Sequence, residues 1–399
     1  MNALPPVITE MPTRRPAGRP LDPPAELARI RAQGPIAPLL YGDGHQGWLV
    51  TGHAQARAVL ADPRFSSRYE IAHYPDPRYT DIPPAGPGEF IGLDAPEHTR
   101  FRRLLAGRFS VRRMRLLAER IRTFTDGCLD DMAAQGPGVD LVETFAHPVP
   151  AQMICELLGV PYAERADFQR FAALLNRHDV TAEEQAAAGA AIGDYMTGLV
   201  RRKRAEPTDD LLSELTDSDL TEEEHIGVGG MLLAAGLDTV ANMLGLGTFA
   251  LLTHPEQLAA LRDDPDVTDS GVEELLRYLS IAHTDFRTAL EDVEIDGVLV
   301  GKGTTVAISL LAANRDPAVF PDPDVLDLRR DAAGQLAFAH GAHQCLGQQL
   351  ARLELRIALP ALLKRFPTLR LAIPAEEVPV RSESDVYGLE RLPVAWDPA

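Results

Sequence analysis

Residues 221–253 constrain the fold more than any other stretch of this 399-residue chain. Apolar side chains recur through it at three- and four-residue spacing, the period of a helix. Thr221 followed by Glu224 forms a capping box, in which hydroxyl and carboxylate each satisfy a backbone N–H at the helix start. About thirty helical residues span roughly 50 Å. Residues 231–252 are apolar enough for a bilayer, yet Asp238, Thr239 and Asn242 sit in the middle, close to Gly236, Gly245 and Gly247. A long helix crossing a protein core accounts for both features. The glycine spacing from Gly245 to Ala250 imitates a dinucleotide loop, but it follows no strand and lies within the helical pattern, so it is discounted.

The same helical period recurs at 97–123, 159–178, 183–204, 255–263, 270–279 and 345–365. Strand signals are fewer. Residues 48–51 form one, and 292–308 read as a hairpin turning at Asp296-Gly297. Residues 75–88 hold five prolines and two glycines, which predicts a mobile loop able to cover something. The fold class is therefore mainly α with a small β portion, as one domain over 25–399 behind an extended proline-rich arm at 1–24. That arm carries Arg14, Arg15 and Arg19 and no apolar run, so neither a secretory signal nor a membrane anchor is expected. Its seven prolines oppose the amphipathic helix of a transit peptide. Net charge is −19, which argues against general nucleic-acid binding. The three cysteines, Cys128, Cys155 and Cys345, form no Cys-x-x-Cys pair and suit a reducing cytoplasm.

Cys345 carries the chemistry. It sits in Phe338-Ala339-His340-Gly341-Ala342-His343-Gln344-Cys345-Leu346-Gly347, where glycines permit turns that can hold a thiolate toward a ligand. Inside the long helix, Ala235-Gly236-Leu237-Asp238-Thr239 places a glycine, an acid and a hydroxyl where a helix interior disfavours them. Broken local rules of this kind mark functional sites. Glu274 and Arg277 stand at i and i+3 on one helix face. Further on come Asn314-Arg315-Asp316-Pro317 and the Pro321–Arg330 loop.

Together these motifs resemble the cytochrome P-450 haem-thiolate monooxygenases, in family order and at family-like distances. The resemblance implies the triangular P-450 fold over nearly the whole chain, with the long helix lying over a haem b. Cys345 would be the iron ligand. His98, Arg102, Arg287 and His343 would meet the haem carboxylates, with Ala235, Phe338 and Gly347 as further haem contacts. Thr239 would hydrogen-bond the activated oxygen and Asp238 would relay protons. Glu274 and Arg277 would be clamped by Arg330, or by Arg329, behind the cysteine loop. Two departures stand out. Ala339 occupies a position usually held by Gly or a small polar residue, and Leu237 one often polar or larger.

The function implied is insertion of one oxygen atom from O2 into a small apolar organic substrate, by hydroxylation or epoxidation. No flavin, nicotinamide or iron–sulfur motif is visible, so electrons would come from a ferredoxin and its reductase. A basic patch of Arg100, Arg103, Arg108, Arg112 and Arg113, joined by Arg352, would dock that donor. Substrate walls are expected from 75–95, 165–190, 231–239, 281–286 and 384–388. Peroxide-driven or oxidative-coupling chemistry, a non-catalytic haem sensor or carrier, and a haem-free helical scaffold stay open at this point. The Asp238–Thr239 pair argues against the first two.

Overall fold

A computed structural model describes residues 6–75, 82–165, 181–381 and 384–397. The capping box forms as the sequence requires. Thr221 Oγ1 accepts from the Glu224 N–H at 3.1 Å, and Glu224 accepts from the Thr221 N–H at 2.9 Å. From it the central helix runs as Glu222–Thr253. This is the one described helix long and apolar enough to cross a membrane. It packs instead against Pro148–Leu158, Ala182–Ala205 and Gln348–Arg365. Its second half enters the main core with Leu244, Leu246 and Phe249, which are almost fully buried. Its first half joins a second core built around Phe101, Ile121 and Leu158.

The β portion is a five-stranded sheet of order β1-β2-β7-β4-β3 and two small ladders. In it, β1 is Ile36–Leu40, β2 Gln46–Val50, β3 Phe65–Ser66, β4 Thr284–Ala289 and β7 Thr305–Ser309. The β2–β7 pairing is parallel, and the other pairings in the sheet are antiparallel. The hairpin read at 292–308 is shorter than expected. Only β5, Val293–Ile295, and β6, Val298–Val300, pair with each other, turning at Asp296 and Gly297 with φ of 51° and 78°. Strand β7 leaves to sit between β2 and β4, because every one of its five residues is buried and a two-stranded ribbon could not cover them.

Three helical expectations need correction. The stretch 97–123 is three helices, Glu97–Ala106, Val111–Leu116 and Ala118–Gln135. Ser110 restarts the chain by accepting the Arg113 N–H on its hydroxyl. Gly159 begins no helix but ends Pro148–Leu158, in the left-handed conformation at φ 69°. The rest of that expectation, from 166, lies outside the described residues. The 345–365 helix starts only at Gln348, because the preceding residues belong to the cysteine loop.

The extended arm and the end of the proline-rich loop are both seated on the domain. Ile8 bridges Leu39 beside β1, and Leu21 enters the main core. Arg15 is buried, stacked over Tyr387 at 4.1 Å, and donates to the Leu21 carbonyl. Of the proline-rich loop, 76–81 lie outside the described residues, but its end rests on the central helix. A Cβ on Gly227 would stand 1.8 Å from the Pro87 carbonyl oxygen, so only glycine admits the loop there.

Glu274 and Arg277 lie fully buried on Thr268–Leu279. The guanidinium meets both carboxylate oxygens, at 2.7 and 2.8 Å, and donates to the Asn314 and Pro323 carbonyls. Arg330 reaches the same carboxylate at 3.1 Å, whereas Arg329 turns away to Asp264. Removing one partner of a buried pair strands the other charge, at about 3–5 kcal/mol. Glu274→Ala is therefore expected to lower the urea midpoint by an amount equivalent to about that figure. A variant as stable as the wild type would show that the cluster is not structural.

Candidate functional site

The central helix, the cysteine loop and the start of β4 enclose a cavity of about 340 Å³. Its wall is mostly apolar, with Phe90, Ile91, Met231, Leu232, Met243 and Ile281 among the contributors. Expected walls at 75–95, 231–239 and 281–286 each supply residues. Among the described residues, 181–190 and 384–388 supply none. Pro150, Ile154 and Leu157, from a helix the sequence reading missed, line it instead.

The loop holds Cys345 at the cavity wall. Gly341 sits at φ 78°, and a Cβ there would stand 2.3 Å from the Leu60 carbonyl oxygen, so the loop can pass only as glycine. Ala339 adopts φ 54°, the left-handed turn that a glycine would take without strain. The departure in sequence is thus tolerated in backbone, with the Ala339 N–H bonded to the Leu336 carbonyl. The Cys345 N–H closes the turn on the Phe338 carbonyl at 3.0 Å.

Burial pushes the Cys345 thiol up, while the Gly347 and Gln348 N–H groups and the Arg102 and Arg352 charges pull it back. Arg352 is stacked over Phe338 at 4.6 Å and bonded to Glu273. It is therefore part of the loop's support and not a free docking charge. Arg100, Arg108 and Arg113 are also engaged, with Glu224, Asp219 and Glu214. Among the described residues, only Arg103 and Arg112 of the expected patch lack an ion pair, and Arg115 joins them on the same segment.

His98 and His343 both line the cavity, with rings stacked at 3.8 Å. Burial, then the Arg102 charge, lowers His98 to about 4. Burial, then His98 and the two arginines Arg287 and Arg102, lowers His343 to about 3. Both are thus neutral hydrogen-bonding groups at pH 7. Arg102 lines the cavity, and Arg287 stands just behind it, bonded to Asp285 at 2.6 Å. Ala235, Phe338 and Gly347 line the same space, and a Cβ on Gly347 would meet no atom within 4 Å. A thiol flanked by N–H donors, two arginines and two neutral imidazoles on an apolar cavity is a donor set that fits an iron porphyrin with two carboxylates.

Thr239 faces the cavity and donates its hydroxyl to the Ala235 carbonyl at 2.9 Å. Asp238 does not line it. Its carboxylate is buried against Arg381 at 2.7 Å, a residue the sequence reading missed because it lies 143 positions away. Gly236 packs closely on Ile154, whose Cδ1 a Cβ there would displace from 2.9 Å.

A family model, Cytochrome P450, matches residues 183–388. Cytochrome P450 105C1 of Streptomyces sp is 49% identical over 94% of this chain and 95% of its own. The chain belongs to the cytochrome P-450 family. Pentalenic acid synthase of Streptomyces avermitilis is 43% identical over 94% of this chain and 95% of its own. The crystal structure of cytochrome P450 MoxA from Nonomuraea recticatena superposes with a TM-score of 0.91 at 42% identity, covering 98% of this chain and 99% of that one. The fold is thus the P-450 fold, and the chain is a haem-binding oxidoreductase of that family.

One wall residue of this P-450 has no evident protein partner. Glu354 is buried, lines the cavity, and makes no hydrogen bond among the described residues. Burial alone pushes its carboxyl up to about 8 from about 4.5. Between those values the unfolded chain releases a proton that the folded chain keeps, so stability falls as pH rises, by at most about 1.4 kcal/mol per unit. Glu354→Gln is expected to match the wild type near pH 4.5 and to gain on it progressively up to pH 8, in urea midpoints measured across that range. A constant difference would mean that the carboxyl ionises normally.

Proposed function

We propose that this P-450 inserts one oxygen atom from O2 into a small apolar organic substrate, by hydroxylation or epoxidation. The substrate is a specialised metabolite or drug-like molecule, the site of action is the cytoplasm, and the electrons come from a separate ferredoxin and its reductase. The observation that carries this reading is that Cys345 and Thr239 share one mostly apolar cavity. Haem bound there supplies oxygen activation, with a thiolate whose electron donation favours O–O cleavage.

The chain's own residues divide the remaining work. Cys345 is the iron ligand, and the Gly347 and Gln348 N–H groups temper its charge. His98, Arg102, Arg287 and His343 hold the haem carboxylates, while Phe338, Gly347 and Ala235 bound the ring. Thr239 holds a proton at Oγ1 and turns it from the Ala235 carbonyl into the cavity. Asp238 stands one step behind, oriented by Arg381. The apolar wall excludes water and orders substrate by shape. Ferredoxin docking is supported by Arg103, Arg112 and Arg115 around Val111 and Leu116, which are 47% and 71% exposed. Charge and apolar surface together suit an acidic partner.

Two variants test the assignment. Cys345→Ala is expected to abolish the carbon-monoxide absorption typical of reduced haem-thiolate proteins, and its survival would remove Cys345 as ligand. Thr239→Ala is expected to keep that absorption and the substrate-induced spectral change. Product per reducing equivalent should then fall severalfold, with the difference leaving as peroxide. Unchanged coupling would reduce Thr239 to a helix residue bonded to its own backbone.

A further inference from the structure

The cavity wall contains one carboxylate that the proposed haem chemistry does not use. Asp285 lies at the start of β4, with its side chain 28% exposed, and it lines the cavity. Its Oδ1 is fixed twice, accepting the Phe286 N–H at 2.8 Å and Arg287 at 2.6 Å. Its Oδ2 has no hydrogen-bond partner among the described residues. A carboxylate held rigidly by one oxygen and open at the other is preorganised to receive a cationic group.

The local charge count leaves this group in excess. Arg102 lines the cavity and Arg287 stands just behind it, on the side where two haem carboxylates would lie. Once Arg287 serves the haem, Asp285 shares its one cationic partner among the described residues with a haem carboxylate. Its negative charge extends to its neighbours. Burial, then Asp285 and Asp385, raises the Tyr74 phenol, and the Tyr74 ring lies 5.1 Å from Phe286. A carboxylate on a wall that also presents the Phe90 ring is chemistry that recognises an alkylammonium group.

Resting on the haem reading above, we infer that Asp285 selects substrates that are apolar but carry one basic amine. The ammonium group meets Asp285 Oδ2, and the apolar body fills the wall of Phe90, Ile91, Met231 and Ile281. A small number of placed polar groups in an apolar cavity fixes ligand orientation in this way. The amine would lie beside β4, which holds the rest of the molecule toward Thr239.

The test uses the purified haem-loaded protein and two probes of one shape. One is trimethyl(adamantyl)ammonium, and the other is its uncharged carbon isostere, tert-butyladamantane. Neither has a lone pair that could bind iron. Affinities are read from equilibrium dialysis and from the Soret shift. The wild type is expected to bind the cation roughly tenfold more tightly than the isostere. Asp285→Asn should erase that preference and leave isostere binding unmoved, while Asp285→Glu should keep much of it. Equal binding of the two probes by the wild type overturns the inference. So does an equal loss of both probes in Asp285→Asn, which would make Asp285 only a support for Arg287. A chain that purifies without haem would instead overturn the reading under Proposed function.

Discussion

The buried Glu274–Arg277 pair is the contact on which the haem-loop side of the molecule depends. Charges without solvent must satisfy every donor and acceptor in place, or the fold fails around them. Arg277 does so by donating to Glu274 and to the Asn314 and Pro323 carbonyls. Glu274 accepts in addition from Arg330 and from the Asp327 N–H. Asn314 then passes the constraint on, because its side chain accepts the Leu336 N–H and donates to Ser280. Leu336 accepts the Ala339 N–H, two residues before Gly341 and six before Cys345. One charge pair thus sets the path of residues 314–341. Replacing such a pair by apolar groups can leave net stability unchanged, so its effect here is on geometry.

The cavity depends on a second balance, between burial and charge. Burial alone would keep Cys345 a neutral thiol, and two backbone N–H groups with two arginines oppose it. Arg352 contributes without entering the cavity, held flat over Phe338 by Glu273. Nearby, burial removes charge from His98 and His343 and from Glu354 alike.

Local chemistry made part of this legible from sequence. The capping box at Thr221, the Asp296-Gly297 turn and the glycines around Cys345 each act within a few residues, so their pattern is complete in the chain. The Glu274–Arg277 contact lies one helical turn apart and could be read, but its burial could not. Long-range partners could not be read at all. Arg381 reaches Asp238 across 143 positions, and Arg352 was mistaken for a surface charge because Glu273 lies 79 positions away. The basic patch carries fewer unpaired charges than its sequence suggests for the same reason, since Glu214, Asp219 and Glu224 fold onto Arg100, Arg108 and Arg113. Periodicity also ran through the break at Ser110, because helical spacing survives a change of axis that a cap imposes, and it began a helix at Gly159, which in fact ends one.

The division between Asp238 and Thr239 follows from helix geometry. Successive side chains on a helix stand about 100° apart, while positions three and four apart share a face. Thr239 therefore faces the cavity with Ala235, Gly236 and Met243. Asp238 is turned to the flank it shares with Asn242, and Arg381 contacts both of these side chains. Adjacent residues so disposed cannot both touch a ligand over the same face. In the proposed relay, a proton passing between the Asp238 carboxylate and the Thr239 hydroxyl would need a bridging group, and Arg381 fixes where that carboxylate sits. Arg381 is thus a positioning residue, which acts through Asp238, and the helix presents one hydroxyl to the cavity while keeping its charge on the protein side.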